Sequence, residues 1–211
     1  MTDPAPIRTL VIETATAACS VALFEGETLI DARHEVVGRG HAELLVPMIG
    51  ELPDRGRADS ILVDVGPGSF TGLRVGIAAA IGLGIGWRAE VLGFSSLALI
   101  AAGQGEEIGA PELAVAIEGG HGEVFVQHFA RMPFAALDEP VSLAPDMAVA
   151  RIAGRPVIGN AARRLSALTV IDALPDARHV MRLPPRYRAL APRPLYLRAP
   201  DAKLPGGITP P

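Results

Sequence analysis

Apolar and polar positions alternate through three short runs at the start of the chain. Thr9–Ile12 is apolar and β-rich, Glu13-Thr14-Ala15-Thr16 is a polar turn, and Cys19–Phe24 is a second run. Glu25-Gly26-Glu27 then turns the chain into a third strand, Thr28–Val37. Turns this short join antiparallel neighbours, so the pattern predicts an opening three-stranded meander. The period then changes. His41, Leu44, Leu45, Met48, Ile49 and Leu52 recur at helical spacing until Pro53 closes the helix. Ile61–Val65 reads as a buried strand, Gly66–Gly72 as a loop, and Leu73–Trp87 as a helix rich in small residues. Glu90–Leu92 is a strand leading to Ser95, the expected N-cap of a third helix through Ala102. The order is βββαβα with one further strand and helix.

A composition break at Gly103-Gln104-Gly105-Glu106-Glu107 predicts a boundary, with an N-terminal domain over 1–104 and a smaller α/β domain over 105–198. In the second region Leu113–Glu118, Glu123–Phe129 and Leu137–Leu143 read as strands and Pro145–Ala153 as a helix. Pro156–Ile158 is a further strand and Ala161–Ala167 a short helix, a shortened echo of the first half. Eight of the 19 prolines lie in the last 28 residues, so 199–211 is expected to be an extended tail.

Composition narrows the function. Of 211 residues 49% are hydrophobic and only 4% aromatic, so the chain can bury a core of Ala, Val, Leu and Ile. The formal charge of −4 speaks against a polyanion binder overall, yet residues 151–198 hold 10 Arg against Asp172 and Asp176. The lone Cys19 excludes a disulfide framework. Met1-Thr2-Asp3-Pro4 is unlike a signal peptide, and Val75–Trp87, the longest uncharged helical stretch, is short for a membrane span. A soluble, cytoplasmic α/β protein is expected.

Candidate chemistry centres on Gly66-Pro67-Gly68-Ser69-Phe70-Thr71-Gly72, a strand-to-helix loop of the kind that binds anions. A P-loop would need lysine after Gly72, where Leu73 stands; a dinucleotide fingerprint would need glycine or alanine at Thr71; a nucleophile elbow would need glycine at Pro67. All three fail. The plainer reading is a tight turn whose Ser69 or Thr71 caps the helix. Between the first two strands Thr14 and Ala15 occupy the place where glycine would let a phosphate approach, as in actin-like and sugar-kinase-like proteins. His41 has Leu45 rather than a second histidine one turn on, which excludes a helical metal pair there. Glu118 and Glu123 flank the Gly119–Gly122 hairpin as possible acid/base groups or as ordinary turn acids. Finally, Gly72, Gly76, Ala80 and Gly84 recur every four residues. Glycine costs a helix up to about 1 kcal/mol, so another helix must approach closely, inside the fold or across an interface.

Several segments together resemble the TsaB (YeaZ) family. They are Leu10-Val11-Ile12-Glu13-Thr14, Cys19–Leu23, His41–Ile49 and, most specifically, Val65–Gly76 with its Gly66–Gly72 loop followed by Leu73-Arg74. Phe94–Leu97, Gly122–Phe125 and Pro194–Arg198 extend the likeness along the chain. Glu13 stands where the family commonly has aspartate, and Glu118-Gly119-Gly120-His121 departs from the family pattern before the second domain's hairpin. The resemblance implies a two-domain actin/Hsp70/sugar-kinase-like (ribonuclease H-like) fold without a complete ATPase site, metal or cofactor. It implies a non-catalytic partner of a TsaD-like catalytic subunit and a TsaE-like ATPase, together placing threonylcarbamoyl on N6 of a tRNA adenosine. It also implies a homodimer when alone, contact with tRNA through the complex, and no membrane. The expected interface is Gly72, Gly76, Ala80 and Gly84 with His41 and Leu45; the signature loop is Gly66, Pro67, Gly68, Ser69, Phe70, Thr71 and Arg74. Alternatives are an active ATP-dependent phosphotransferase of this fold, or a glycoprotease.

Overall fold

The computed structural model describes residues 6–104, 108–161, 164–165, 168 and 170–197. The expected meander forms as β1 (Arg8–Glu13), β2 (Ala18–Glu25) and β3 (Thr28–Val36), all antiparallel. β4 (Ser60–Asp64) and β5 (Glu90–Phe94) add in parallel, giving the order β3-β2-β1-β4-β5. The chain crosses between them through α1 (His41–Gly50) and α2 (Phe70–Trp87), which share one core with the Leu10/Ile12 face of β1. α3 (Ser96–Gln104) packs against the opposite, Val11 face.

A second sheet repeats the plan in reduced form. β6 (Glu112–Glu118) and β7 (Val124–Ala130) form an antiparallel hairpin, with β8 (Ala135–Ala136) and β9 (Val141–Leu143) against β7. After α4 (Pro145–Ile152), β10 (Val157–Ile158) and β11 (Val170–Ile171) extend β6 in parallel. These two mixed sheets with helices are the expected α/β architecture. One apolar cluster runs from Val11, Phe24 and Phe94 through α3 to Leu113, Val115 and Ile117, so the two sheets share a core.

Two expectations change. Of the single strand foreseen at Leu137–Leu143 only β9 forms, with β8 lying just before that span; between them Asp138 turns inward to meet the backbone N–H and ring of His128. Ser95 gives no side-chain cap; its hydroxyl has no partner among the described residues, and the next hydroxyl, Ser96, is the one engaged. Most of the helix read at Ala161–Ala167, the Gly105–Glu107 break and the tail beyond Leu197 lie outside the described residues. What precedes the tail is anchored. Residues 177–197 return to the first sheet, where Ala177 N–H meets Ser20 Oγ, Leu190 bridges Gly93, and Leu195 N–H donates to Val65 O.

By length and apolar composition α2 would suffice to cross a membrane. Its Gly72, Leu73, Gly76, Ile77, Ala80 and Gly84 face is instead seated on the sheet.

Candidate functional site

The segments singled out by sequence converge on one cleft of about 630 Å³ between the two sheets. One wall is the β1–β2 turn (Ala15, Thr16, Ala17) with Gly68, Ser69, Phe70 and Thr71 of the signature loop. The other is the β6–β7 turn, Glu118 to His121, with Phe125 and Asn160. Leu195, Tyr196 and Leu197 of the returning C-terminal segment complete it. This position follows from the topology, since ligand clefts in open sheets gather beyond strand ends where loops from two halves meet.

The signature loop closes over the turn that would cradle a phosphate. Ser69 N–H donates to Ala15 O at 2.6 Å, Thr14 Oγ1 donates to Gly72 O at 2.8 Å, and Ala15 N–H is spent on Glu13 Oε1 at 2.7 Å. A Cβ at Gly68 would lie 2.1 Å from Ala15 O, and one at Gly72 would lie 2.1 Å from Thr14 O. These glycines therefore serve loop-on-turn contact, and Ser69 caps α2 by accepting from Gly72 N–H. Three N–H groups that an anion could use, those of Ala15, Ser69 and Gly72, are thus occupied by the chain itself.

Beneath the turn lie two carboxylates. Glu13 and Asp64 are fully buried at the ends of the adjacent parallel strands β1 and β4, whose register pairs Ile12 with Val63 just before them. Asp64 Oδ1 accepts from Gly66 N–H (2.6 Å) and Ser96 Oγ (3.2 Å); among the described residues Glu13 Oε2 and Asp64 Oδ2 have no hydrogen-bond partner. Burial pushes the Asp64 carboxyl up to about 7. Burial first, and the neighbouring Asp64 second, hold Glu13 well above the ordinary carboxylate range. Sequence reading passed over Asp64, although an acid ending the apolar run Ile61–Val63 was the available signal.

The remaining candidates are dispersed. Glu118 lines the cleft and pairs with Arg164 at 3.8 Å, whereas Glu123 turns away to accept from Ser142 Oγ at 2.5 Å. His41 Nε2 contacts Ala18 O at 2.9 Å and Leu45 is buried in the core. Among the described residues no three His, Cys, Asp or Glu form a metal-holding group. The expected interface ridge is turned inward: a Cβ at Gly76 would meet Thr14 Oγ1 at 2.3 Å, one at Gly84 would meet Val91 at 2.5 Å, and Ala80 is fully buried. The small residues let α2 approach its own sheet, so Gly72, Gly76, Ala80, Gly84, His41 and Leu45 face the fold rather than a partner. Most described arginines of 151–198 are tied internally as well, with Arg151 on Asp138, Arg155 on Glu112, Arg178 on Asp176 and Arg182 on Gly103 O.

The sequence model of the TsaD family, tRNA N6-adenosine threonylcarbamoyltransferase, matches residues 33–164. The tRNA threonylcarbamoyladenosine biosynthesis protein TsaB of Escherichia coli K12 is 36% identical over 132 residues, 59% of this chain and 56% of that protein. The crystallised YeaZ of Pseudomonas aeruginosa superposes with a TM-score of 0.77 at 28% identity, covering 90% of this chain and all of that one. The chain belongs to the TsaB (YeaZ) family. An uncharacterized Mycobacterium tuberculosis H37Rv protein is 32% identical over 92% of this chain and 93% of its own length. The match spans about half the length of the TsaB proteins of E. coli and Haemophilus influenzae, at 56% and 53%.

Proposed function

We propose that this chain is a non-catalytic subunit in the biosynthesis of tRNA threonylcarbamoyladenosine, binding and supporting a TsaD-like catalytic subunit. The observation that carries the reading is the sealed turn. Phosphoryl transfer depends on preorganised charge around the phosphates, and here Ala15 N–H and O are already bonded within the chain. His41 and Leu45, both committed to the core, support the same view. A TsaE-like ATPase, tRNA held through the complex, a homodimer when the chain is alone, and a cytoplasmic setting complete the proposal.

The partner surface is the outward stripe of α2 with α1, not its small-residue ridge. Arg74, Ala78, Ile81 and Ile85 are exposed one or so turns apart, Ile85 by 77%, and Val46 of α1 by 63%. Gly82 and Gly86 share this side and have open space where a Cβ would sit. Each costs helix stability of about 1 kcal/mol that no contact among the described residues explains, as close approach by a partner helix would.

Reconstitution tests the function. The chain mixed with a TsaD-like and a TsaE-like protein, ATP, threonine, bicarbonate, a threonylcarbamoyl-adenylate-forming enzyme and unmodified tRNA is expected to yield threonylcarbamoyladenosine. Omitting the chain should abolish the product, and the chain alone should turn over no ATP. Full product without it, or ATP turnover near 1 per second by the chain alone, would overturn the reading; such a rate lies in the ordinary kinase range of about 1–100 per second.

A further inference from the structure

Arg74 is the one charged side chain among the 18 residues of α2, and it stands exposed on the outer stripe. Its guanidinium lies over the Phe70 ring at 3.7 Å, and its Nε–H donates to Tyr196 Oη at 3.2 Å. The Phe70 and Tyr196 rings sit 5.1 Å apart, tilted by 31°. Phe70 is fixed by the first turn of α2, and Tyr196 follows Leu195, whose N–H is bonded to Val65 O. A long cationic side chain is thereby held in one geometry in the free chain. Ordering of that kind removes part of the entropy cost of a later contact.

The ordered cation has no counter-ion. Arg8, Arg33, Arg151, Arg155, Arg164 and Arg178 each lie within 3.8 Å of a carboxylate oxygen, whereas among the described residues no ion pair involves Arg74. With Nε–H committed to Tyr196, the two terminal nitrogens keep a fork of donors that matches a carboxylate. The surroundings indicate what carries that carboxylate. Ala78, Ile81 and Ile85 continue the stripe, and both rings stay 40% exposed. One arginine with bare aromatic and aliphatic neighbours has the composition of a protein–protein anchor, whereas a nucleic-acid backbone is met by clustered cations. A second copy of the chain is poorly suited, because α2 holds no aspartate or glutamate to set against Arg74. We propose that Arg74 selects the TsaD-like subunit over a second copy of this chain. It does so by donating to an aspartate or glutamate that the partner presents among apolar side chains, with Tyr196 as the positioning residue. The proposal rests on the outer stripe being the docking surface, and it extends that surface from α2 onto the C-terminal segment.

The test measures affinity for a purified TsaD-like subunit by calorimetry and self-association by sedimentation velocity, on the full chain and on variants whose fold is checked by circular dichroism. Arg74→Glu should weaken pairing with the TsaD-like subunit about thirty-fold or more, the scale of losing one member of a desolvated charge pair, and leave self-association unchanged. Arg74→Gln should flatten the salt dependence of that pairing, a readout that a purely structural role would not move. Tyr196→Phe keeps the ring but removes the acceptor of Arg74 Nε–H, and should weaken pairing about two- to ten-fold. If the unmutated chain does not join the TsaD-like subunit, the docking reading falls and this proposal with it. If it does join, a folded Arg74→Glu chain that pairs as tightly, or that loses self-association to the same extent, overturns the anchor and leaves the docking reading standing. Intact pairing with tRNA lost from the assembled complex would assign Arg74 to a phosphate, and would overturn the proposal as well.

Discussion

Along α2 the inner stripe of Gly72, Gly76, Ala80 and Gly84 and the outer stripe of Arg74, Ala78, Ile81 and Ile85 are both short on polar side chains, yet they answer to different constraints. The inner glycines are required: a Cβ there would run into Thr14 or Val91. The outer glycines, Gly82 and Gly86, have nothing among the described residues within 4 Å of such an atom. Residue type alone does not separate these cases, because a helix pays for glycine equally on either side. What separates them is whether the chain itself occupies the space. The inner side, together with the sealed turn and the buried Glu13 and Asp64, is fold; the outer side is bare, and is the side proposed to meet another molecule.

The largest expected effect falls on the inner side. Ala80→Arg would force a cation into a fully buried site and should cost more than about 4 kcal/mol, leaving no cooperative thermal transition by circular dichroism. A cooperatively folded Ala80→Arg protein would erase the distinction between the faces.

A smaller effect tests how well the interior is sealed. Asp64 titrates near 7 in the folded chain and near 4 unfolded, so between those values the folded state binds the extra proton. Stability then falls as pH rises from about 4 to about 7, by at most about 1.4 kcal/mol per pH unit for this one group, and Glu13, raised as well, adds in the same direction. Asp138 and Asp176 are held low by His128 and by Arg178 respectively, against the effect of their burial, so what they contribute is lost only on acidification below about 4. Melting temperature should therefore rise from pH 8 toward pH 5.5, and Asp64→Asn should flatten that slope. A wild-type slope of opposite sign would mean that water reaches the pair.

The smallest effect belongs to the outer side. Gly82→Ala relieves an exposed helix of its glycine with no clash, and should stabilise the isolated chain by about 0.5–1 kcal/mol in chemical denaturation. Destabilisation would show that the outer face is already engaged within the chain.

The sequence made the strands of the first sheet and α1, α2 and α4 legible, because their periods were clean and their ends were marked by Gly, Pro and Ser. It also pointed to each turn that lines the cleft. Three things were hidden. Which face of α2 looks inward is not encoded in a four-residue spacing of small residues, since such a spacing suits a sheet and a partner helix alike. The Glu13–Asp64 pairing depends on β1 and β4 lying side by side, a contact across 51 residues of chain. The part played by Tyr196 depends on the C-terminal segment returning to Val65, a contact between distant parts of the chain that no local pattern announces.

The claim that the outer face of α2 is the docking surface is tested most directly by Ile85→Asp, at a residue 77% exposed and so able to accept a charge with a stability change within about 0.5 kcal/mol. Sedimentation velocity on this variant, alone and mixed with a TsaD-like subunit, is the measurement. The account predicts a chain with unchanged circular dichroism that sediments as a monomer and does not join the partner, where the unmutated chain self-associates and does. A folded Ile85→Asp chain that still self-associates and still co-sediments with the partner would contradict it.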